Sequence, residues 1–442
     1  MGKYHFIAIG GIGMSGLAKY LLEDGHIVSG SDIADSKYTD KLKELGAKVF
    51  VGHSADNVPD GAKVVVSTAI RQNNPELMRA KELGLEIYHR SDMLKEIAEQ
   101  AQKTGKIFIG FSGTHGKTTT SGLASYVLEK AGLKPSFVDG GILPDINTNA
   151  QHKGGNHFIA ELDESDGTIV KYFPDVLVIN NLEEDHLDFY KNGMPDLVKT
   201  FNQAISQAKK VIVNADNKGI KELSGNFITY GLNNADYTAT NIKYLKDGTE
   251  FDIFKNGAFL TGMNIQLSGI HNVYNTLAVV SALAESGLDA EKISKYFYDF
   301  TGMGRRFQKV CEIDGIQVFD DYAHHPTEIK ATLDAAAQKF GKANIVAVFQ
   351  PHRYTRLQSL WNDFLQAFEN AGRVIVTDVY AASEDSIEGI TGEKFASELK
   401  GAEYFGGSIE QVAKNLLPTL KQNDVVIGLG AGTITALGKS LM

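Results

Sequence analysis

The stretch "FIGFSGTHGKTTTSG", residues 108–122, decides the fold and raises a question about its own pattern. Its end, Gly116-Lys117-Thr118, is how a phosphate-binding loop ends. The usual spacing G-x-x-x-x-G-K-[ST] would put the first glycine at position 111, which is Phe111. The nearest preceding glycine is Gly113. Because an apolar run precedes the turn and a helical run follows it, the stretch predicts a strand, a shortened phosphate loop and a helix.

The residue types in this loop favour phosphate chemistry. The Lys117 ammonium can pair with terminal phosphates, and the Thr118 hydroxyl can ligate magnesium. If the loop only capped a helix, packing would give no reason for a lysine directly after a glycine. The phosphate-binding candidates are Gly113, Thr114, His115, Gly116, Lys117, Thr118 and Thr119.

A second glycine-rich turn, "GGIGMSG" at 10–16, follows the apolar run 4–10 and opens a helical pattern. Gly11-x-Gly13-x-x-Gly16, with an acid about 20 residues on, indicates a diphosphate held at a helix N-terminus. It does not specify a nicotinamide dinucleotide, and glycines that serve only tight helix–strand packing remain the alternative. The binding candidates are Gly11, Ile12, Gly13, Met14, Ser15 and Asp32.

The whole chain has 442 residues, which favours about three domains. A hydrophobic fraction of 43% with 22% charged residues indicates a folded protein, and the net charge of −10 argues against a nucleic-acid partner. One cysteine, Cys311, cannot form an internal disulfide, so a reducing cytoplasm is expected. We expect no signal peptide and no membrane insertion, since no apolar run is long enough to span a bilayer.

Alternating strand and helix patterns predict an α/β fold with parallel sheets. The predicted domains are a Rossmann-like N-terminal domain (1–102), a central P-loop-type domain (103–305) and a Rossmann-like C-terminal domain (306–442). Alternating polar and apolar residues over 235–269, with Asp-Gly and Asn-Gly turns, predict an added antiparallel hairpin region in the central domain. A further hairpin is expected to turn at Asp314-Gly315.

Acidic residues follow two predicted strands of the central domain, in "AELDESD" (160–166) and "NNLEEDHLDFY" (180–190). Glu161, Asp163, Glu164 and Asp166 would lie at the carboxyl edge of the sheet, where open parallel sheets bind ligands. Hard oxygens suit magnesium. Solvated surface charge is the alternative for most of these acids, and for His186 among them.

Two stretches of the last domain, "FDDYAHHPTE" (319–328) and "QPHRYTR" (350–356), each follow an apolar strand. Adjacent histidines before a proline that starts a helix indicate one side of a polar pocket. Arg353 and Arg356 are predicted on a first helical turn, and arginine forks suit carboxylate or phosphate.

Seven motifs, "GTHGKTTT", "ELDESD", "NNLEEDHLDFY", "GIHNVYNTLA", "GMGRRF", "DDYAHHPTE" and "FQPHRYTR", occur in the order seen in the Mur ligases. From about residue 4 to its last residue the chain resembles this family of ATP-dependent, amide-forming enzymes of peptidoglycan synthesis. The resemblance implies ATP and Mg²⁺ as cofactors. It also implies UDP-N-acetylmuramate, held by the first domain in place of NAD, and L-alanine as substrates. One departure is Leu162, where alanine is more common between the acids.

The resemblance also implies roles for particular residues. Thr118 and Glu161 would ligate one magnesium and His186 a second, while Lys117 serves phosphoryl transfer. The ATP contacts beyond the loop would be His271, Asn272, Asn275, Arg306 and Asp321. The region that receives the amino acid would contain Tyr322, His324, His325, Arg353 and Arg356.

Other functions stay open at this point. A ligase that attaches a whole tripeptide to the same sugar nucleotide is the nearest alternative, and the Arg353/Arg356 stretch speaks against it. A nicotinamide-dependent dehydrogenase would explain Gly11, Gly13 and Asp32 but not the Lys117 loop. A nucleotide-driven switch or motor would need a partner surface, which no basic, repetitive or strongly amphipathic stretch indicates.

Overall fold

The computed structural model describes residues 1–184, 189–245, 248–382 and 384–442. Its first sheet is parallel throughout, in the order β3-β2-β1-β4-β5, as the strand–helix alternation predicts. The strands are β1 Lys3–Ile7, β2 Ile27–Asp32, β3 Lys48–Val51, β4 Lys63–Val66 and β5 Ile87–His89. The helices of this region are α1 Ile12–Glu23, α2 Lys37–Glu44, α3 Pro75–Glu82 and α4 Arg90–Lys103.

The central sheet has, over the described residues, the strand order β15-β14-β13-β12-β11-β10-β6-β9-β7-β8. These strands are β6 Ile107–Ser112, β7 Ser136–Leu143, β8 Thr148–Gln151, β9 His157–Glu161, β10 Val176–Ile179, β11 Lys210–Asn214, β12 Ile228–Gly231, β13 Tyr237–Leu245, β14 Gly248–Lys255 and β15 Ala258–Ile265. The accompanying helices are α5 Lys117–Lys130, α6 Met194–Gln207, α7 Ile270–Glu285 and α8 Ala290–Ser294. Because β6 pairs in parallel with both β10 and β9, the loop after β6 emerges between two strand ends.

The third sheet has the order β16-β17-β21-β18-β19-β20. Its strands are β16 Gln308–Ile313, β17 Ile316–Asp321, β18 Ile345–Phe349, β19 Arg373–Val376, β20 Ala402–Tyr404 and β21 Val425–Leu429. The helices here are α9 Pro326–Phe340, α10 Tyr354–Ser359, α11 Trp361–Gln366, α12 Gly392–Glu398, α13 Ile409–Leu416 and α14 Leu437–Leu441. The predicted hairpin is present, since β16 and β17 are antiparallel and both Asp314 and Gly315 have positive φ.

The described chain forms two compact units, one of 1–241, 251–264 and 274–300, the other of 242–250, 265–273 and 301–442. Residues 1–102 and most of 103–305 belong to the first unit, whereas 242–250, 265–273 and 301–305 belong to the second. The physical reason is one continuous apolar core that includes Leu17 and Tyr20 of α1 together with Phe158 of β9. Helix α1 packs directly on β7 and on the edge strand β8.

Two stretches whose sequences predict one helix each differ from that expectation. The stretch "TRLQSLWNDFLQAFEN" (355–370) lies in two short helices, because Leu360 leaves helical geometry between them. In "EKISKYFYDF" (291–300) the helix ends at Ser294, and the aromatic residues Phe297 and Phe300 are buried in irregular chain. The hairpin β7–β8 was not predicted. Among the described residues, none of the helices combines the length and the apolar character that a membrane span requires.

Candidate active site

The phosphate loop is closed by glycines at both ends. Gly113 has a φ of +120° and Gly116 a φ of +81°, conformations that side chains rarely adopt. A Cβ atom on Gly113 would lie 2.9 Å from the backbone nitrogen and oxygen of Asn181. The loop therefore turns within four residues because glycine permits both the backbone conformation and the close approach. Phe111, which stands where the usual motif has its first glycine, is a fully buried strand residue, and the loop begins two residues later at Gly113.

Two asparagines that follow β10 hold the loop. The His115 backbone N–H donates to Asn181 Oδ1 at 2.7 Å, and Asn181 Nδ2 donates back to the His115 carbonyl at 3.1 Å. Asn180 Nδ2 donates to the Thr120 hydroxyl at 3.1 Å, and the Thr114 hydroxyl accepts the Glu183 N–H at 2.9 Å. The loop is thus fixed by the neighbouring strand end before any ligand is considered.

Lys117 is surrounded by acceptors. Its Nζ donates to the carbonyls of Gly113 at 2.7 Å and Thr114 at 3.3 Å, and both carboxylate oxygens of Glu164 lie 2.9 Å away. The Lys117 side chain is 12% exposed and that of Glu164 only 3%. Burial opposes the charge of Lys117, but the carboxylates of Glu164, Asp163 and Glu161 outweigh it and hold the lysine pKa above its ordinary value. In this state a carboxylate occupies Lys117 where a phosphate would bind.

The acidic stretch lies where it was predicted, at the carboxyl end of β9. Glu161 is its last residue and pairs in register with Phe111 of β6. The Gly140 N–H donates to Glu161 Oε2 at 3.1 Å, and a Cβ on Gly140 would clash with that carboxylate. Burial favours the neutral form of Asp163, yet Lys117 and Arg90 hold the pKa of its carboxyl below the ordinary value. Asp163 and Glu164 are paired with Arg90 and Lys117, which disfavours the surface-charge interpretation for these two acids.

The donor set suits magnesium, because the Thr118 hydroxyl in the first turn of α5 and the Glu161 carboxylate at the end of β9 are hard oxygens. His186 lies outside the described residues, so its predicted role stays a prediction.

The first glycine turn is held by Asp32. Its Oδ2 accepts the Gly10 N–H at 2.8 Å, and its Oδ1 accepts the Ile33 N–H at 2.8 Å. The third glycine of the motif, Gly16, serves packing, since a Cβ there would lie 2.9 Å from Asn149 Nδ2. That same Nδ2 donates to the Ile12 carbonyl at 2.7 Å and so ties the turn to β8. The packing alternative therefore holds for Gly16.

The remaining residues of this turn divide by exposure. The side chains of Met14 and Ser15 are buried, and the Ser15 hydroxyl donates to the Ile12 carbonyl at 3.0 Å. Gly11 is the N-cap of α1 and carries no side-chain cap. What the turn can offer a ligand is consequently the backbone N–H groups of Ile12 and Gly13, since the Gly11 N–H donates to the Ala8 carbonyl at 3.4 Å.

A cavity of about 70 Å³ lies between this turn and the acidic stretch. Its polar wall combines Gly13, Arg90, Asp139, Glu161, Asp163 and Thr168. The cavity therefore runs from Gly13 of the first glycine turn to Glu161 and Asp163 of the acidic stretch.

In the second unit, Asp321 is buried and organises the backbone. Its carboxylate accepts the Ala323 N–H at 2.7 Å and the Phe307 N–H at 2.8 Å. Burial raises the pKa of Asp321 to about 6, against the opposing charge of Arg306. The Arg306 guanidinium lies 5.3 Å from the centre of the Tyr322 ring, a cation–π arrangement.

In the predicted amino-acid region, His324 lies close to both Tyr322 and His352. His324 Nδ1 lies 2.9 Å from the Tyr322 carbonyl, and its ring is 5.8 Å from that of His352. Arg356 Nη1 lies 3.4 Å from His352 Nδ1. The structure thus brings Tyr322, His324 and Arg356 around His352, a residue that was not predicted.

Arg353 corrects a prediction. It is not on the first helical turn but is the N-cap of α10, with a φ of +71°. Its Nε donates to Glu384 Oε1 at 2.6 Å, which gives its guanidinium a different partner from that of Arg356. His325 also caps a helix, since its Nδ1 accepts the Thr327 N–H at the start of α9.

The "GIHNVYN" residues fall in two places. His271 and Asn272 belong to the second unit, where Asn272 Nδ2 donates to the Ser268 carbonyl at 2.8 Å. Burial lowers the pKa of His271 to about 4, so its imidazole is neutral at pH 7. Asn275 belongs to the first unit, where a Cβ on Gly116 would lie 3.0 Å from its Oδ1. Asn275 of this motif thus lies beside Gly116 of the phosphate loop.

Sequence reasoning missed Arg90, Asn180, Asn181 and His352. Each follows the carboxyl end of a parallel strand, β5, β10 or β18. That position was the available signal, because it is where open α/β sheets bind ligands.

The chain has the architecture of an acid–amino-acid ligase, with a glycine-closed phosphate loop in the central domain, a diphosphate-type turn in the first domain and a third α/β sheet. It belongs to the Mur ligase family. Residues 3–102 match the Mur ligase family catalytic domain, 111–283 the Mur ligase middle domain and 305–432 the Mur ligase glutamate ligase domain.

Among curated relatives, UDP-N-acetylmuramate–L-alanine ligase of Geotalea daltonii is 40% identical over 100% of this chain and 97% of its own. The ligase of the same name from Gloeobacter violaceus is 40% identical over 99% and 95%. The crystal structure of UDP-N-acetylmuramate–alanine ligase from Thermotoga maritima is 30% identical with a TM-score of 0.86, covering 100% of this chain and 98% of that one. A murein peptide ligase from Psychrobacter arcticus shares the fold at 22% identity, with a TM-score of 0.72 over 100% and 98% of the two chains.

Proposed function

We propose that the chain is an ATP-dependent ligase that joins L-alanine to the lactyl carboxylate of UDP-N-acetylmuramate in peptidoglycan precursor synthesis. The observation that carries this proposal is identity of 40% to ligases of that name over essentially both whole chains. The loop at Gly113–Gly116 and the ring of acceptors around Lys117 supply the matching chemistry.

The reaction needs activation, because a carboxylate is a poor electrophile at neutral pH. Transfer of the γ-phosphoryl group of ATP to the carboxylate gives an acyl phosphate and ADP. The amine of L-alanine then attacks the acyl carbon, the amide forms and inorganic phosphate leaves. Such transfer depends on positioning and on neutralisation of charge, which Lys117 provides from a buried, oriented ammonium.

We assign UDP-N-acetylmuramate to the domain 1–102, ATP to 103–305 and L-alanine to 306–442. The glycine turn would hold the diphosphate by backbone N–H groups. Thr118 and Glu161 would hold one Mg²⁺, and His186 a second. When bound, the metal supplies positive charge at the phosphates. The ATP contacts would be completed by His271, Asn272, Asn275, Arg306 and Asp321.

For the amino acid, Arg353 and Arg356 are both candidates for the partner of its carboxylate. Arg353 Nε donates to Glu384, and Arg356 Nη1 lies 3.4 Å from His352 Nδ1. Burial and the two arginines lower the pKa of His352 to about 4, so it adds no charge at pH 7. Tyr322, His324 and His325 would complete this pocket. We also propose that the enzyme acts in the cytoplasm, where its single cysteine stays reduced.

The tripeptide-adding ligase is less well supported. The UDP-N-acetylmuramate:L-alanyl-γ-D-glutamyl-meso-diaminopimelate ligase of Neisseria meningitides is 26% identical and covers 69% of this chain, against 40% identity over the whole chain for the L-alanine ligase of Geotalea daltonii. A dehydrogenase is disfavoured because it would leave the Lys117 loop without a role.

The test is release of phosphate by the purified protein. Phosphate should appear only when ATP, UDP-N-acetylmuramate and L-alanine are all present, and the product mass should equal that of the amide. Equal release without L-alanine would refute the proposal. Replacing L-alanine by the tripeptide in a parallel reaction separates the two ligases.

A further inference from the structure

Arg90 stands at the boundary between the first glycine turn and the acidic stretch. It is the first residue of α4, directly after β5, and its side chain lines the cavity that also contains Gly13 and Glu161. Its Nη1 lies 3.9 Å from the position that a Cβ on Gly13 would take. The guanidinium therefore faces the backbone that would hold the diphosphate.

The guanidinium is held from one side only. Nη2 donates to Asp163 Oδ2 at 2.9 Å and lies 3.7 Å from an oxygen of Asp166. Within the part of the chain that the structure describes, Nη1 has no hydrogen-bond acceptor. The side chain is 33% exposed, so it is oriented by Asp163 and still open to the cavity. An arginine with one edge anchored and the other open is suited to a second anion.

The glycine turn lacks a cation of its own. The first turn of α1 contains no charged side chain, since it reads "IGMS". Backbone N–H groups and the helix dipole amount to about half a positive charge. A sugar nucleotide carries a diphosphate and a lactyl carboxylate, so most of its charge would be unmatched without a further cation.

Building on the proposed function, we infer that Arg90 binds an anionic group of the sugar nucleotide, through the guanidinium edge that faces Gly13. Asp163 is then a positioning residue that orients Arg90 from the neighbouring domain. The anion is the diphosphate or the lactyl carboxylate. Both groups present anionic oxygens in pairs, which match the two-pronged guanidinium of arginine.

The experiment is calorimetric titration of the full-length protein with UDP-N-acetylmuramate and with UDP-N-acetylglucosamine, which has the diphosphate but no lactyl carboxylate. Arg90→Gln should weaken UDP-N-acetylmuramate binding about tenfold to a hundredfold, as expected for loss of a hydrogen bond to a charged group. Equal weakening for both ligands assigns the diphosphate. Weakening for UDP-N-acetylmuramate alone assigns the lactyl carboxylate. Arg79→Gln, an exposed arginine on α3, is the matched control and should bind as the wild type does.

A second pair of variants separates contact from scaffolding. Arg90→Lys keeps the charge but not the fork and should bind with intermediate affinity, while Asp163→Asn should weaken binding less than Arg90→Gln does. Wild-type affinity in Arg90→Gln would overturn the inference. So would equal losses of affinity and of melting temperature in Arg90→Gln and Asp163→Asn. Failure of the wild type itself to bind the sugar nucleotide would overturn the proposed function as well.

Discussion

The contact between Lys117 and Glu164 makes a sharp prediction about the nucleotide-free protein. Glu164→Gln removes the nearest carboxylate and leaves a buried ammonium that is hydrogen-bonded to the carbonyls of Gly113 and Thr114, with Asp163 and Glu161 as the remaining nearby charges. Breaking a buried ion pair by removing one partner costs about 3–5 kcal/mol. Because two carbonyls remain, we expect a loss of unfolding free energy near the lower end, about 3 kcal/mol, within that range.

Substitution of Lys117, alone and together with Glu164→Gln, tests the same ion pair. Burial raises the pKa of Glu164 to about 7 even beside Lys117, so in Lys117→Met the buried carboxyl takes up a proton and the loss of free energy should be smaller than in Glu164→Gln. The double variant leaves no buried charge at this place and should recover at least about 2 kcal/mol relative to the sum of the single losses, since residues in one ion pair are strongly coupled. The measurement is urea unfolding of the wild type and the three variants at pH 7.

Nucleotide should change the order of stability. In Glu164→Gln the phosphates meet a lysine with no competing carboxylate, so ATP should raise the melting temperature of this variant more than that of the wild type. ATP should leave Lys117→Met almost unchanged. Single losses below about 1 kcal/mol that add up in the double variant would refute the reasoning, because exposed pairs behave in that way.

Three further predictions concern other parts of the site. Lys117→Ala should keep its fold by circular dichroism and lose most turnover; near-wild-type phosphate release would mean that the loop does not bind ATP as inferred. Gly140→Ala should displace the Glu161 carboxylate and raise the Mg²⁺ concentration needed for half-maximal turnover, whereas Gly154→Ala, at a glycine with open space around it, should not. Burial raises the pKa of Asp139 to about 8, so the folded protein keeps a proton that the unfolded chain loses near pH 4; stability should therefore fall between pH 4 and pH 8 by up to about 1.4 kcal/mol per pH unit. Asp139→Asn should lose this part of the slope in urea titrations, and an unchanged slope would show that Asp139 is not the group responsible.

Much of the fold could be predicted because its signals are local. Strand–helix alternation, Gly113 and Gly116 around a short turn, and the Asp314-Gly315 hairpin each reflect backbone preferences written in a few neighbouring residues. The acids after β9 were placed correctly for the same reason, since a strand end fixes their position.

What could not be predicted depends on distant partners. The β7 sequence "SFVDGGIL" contains Asp139 and two glycines and has the composition of a loop, yet it is a strand because α1 and β9 pack on it. No sequence motif surrounds Arg90, and its side chain is oriented by Asp163, 73 residues away in the sequence. Arg353 and Arg356 have the spacing of one helix face, but the positive φ of Arg353 separates their partners.

The continuous core beneath α1, β7 and β8 has a consequence for chimeric enzymes. Tyr20 meets Phe158 edge to face at 5.9 Å, and Asn149 reaches back to the Ile12 carbonyl at 2.7 Å. A graft of residues 1–102 onto the remainder of a relative would join two surfaces that were not selected together. To exchange sugar-nucleotide preference between family members, β7 and β8 should therefore be transplanted along with the first domain. The contact surface between α1 and these strands then comes from one donor protein.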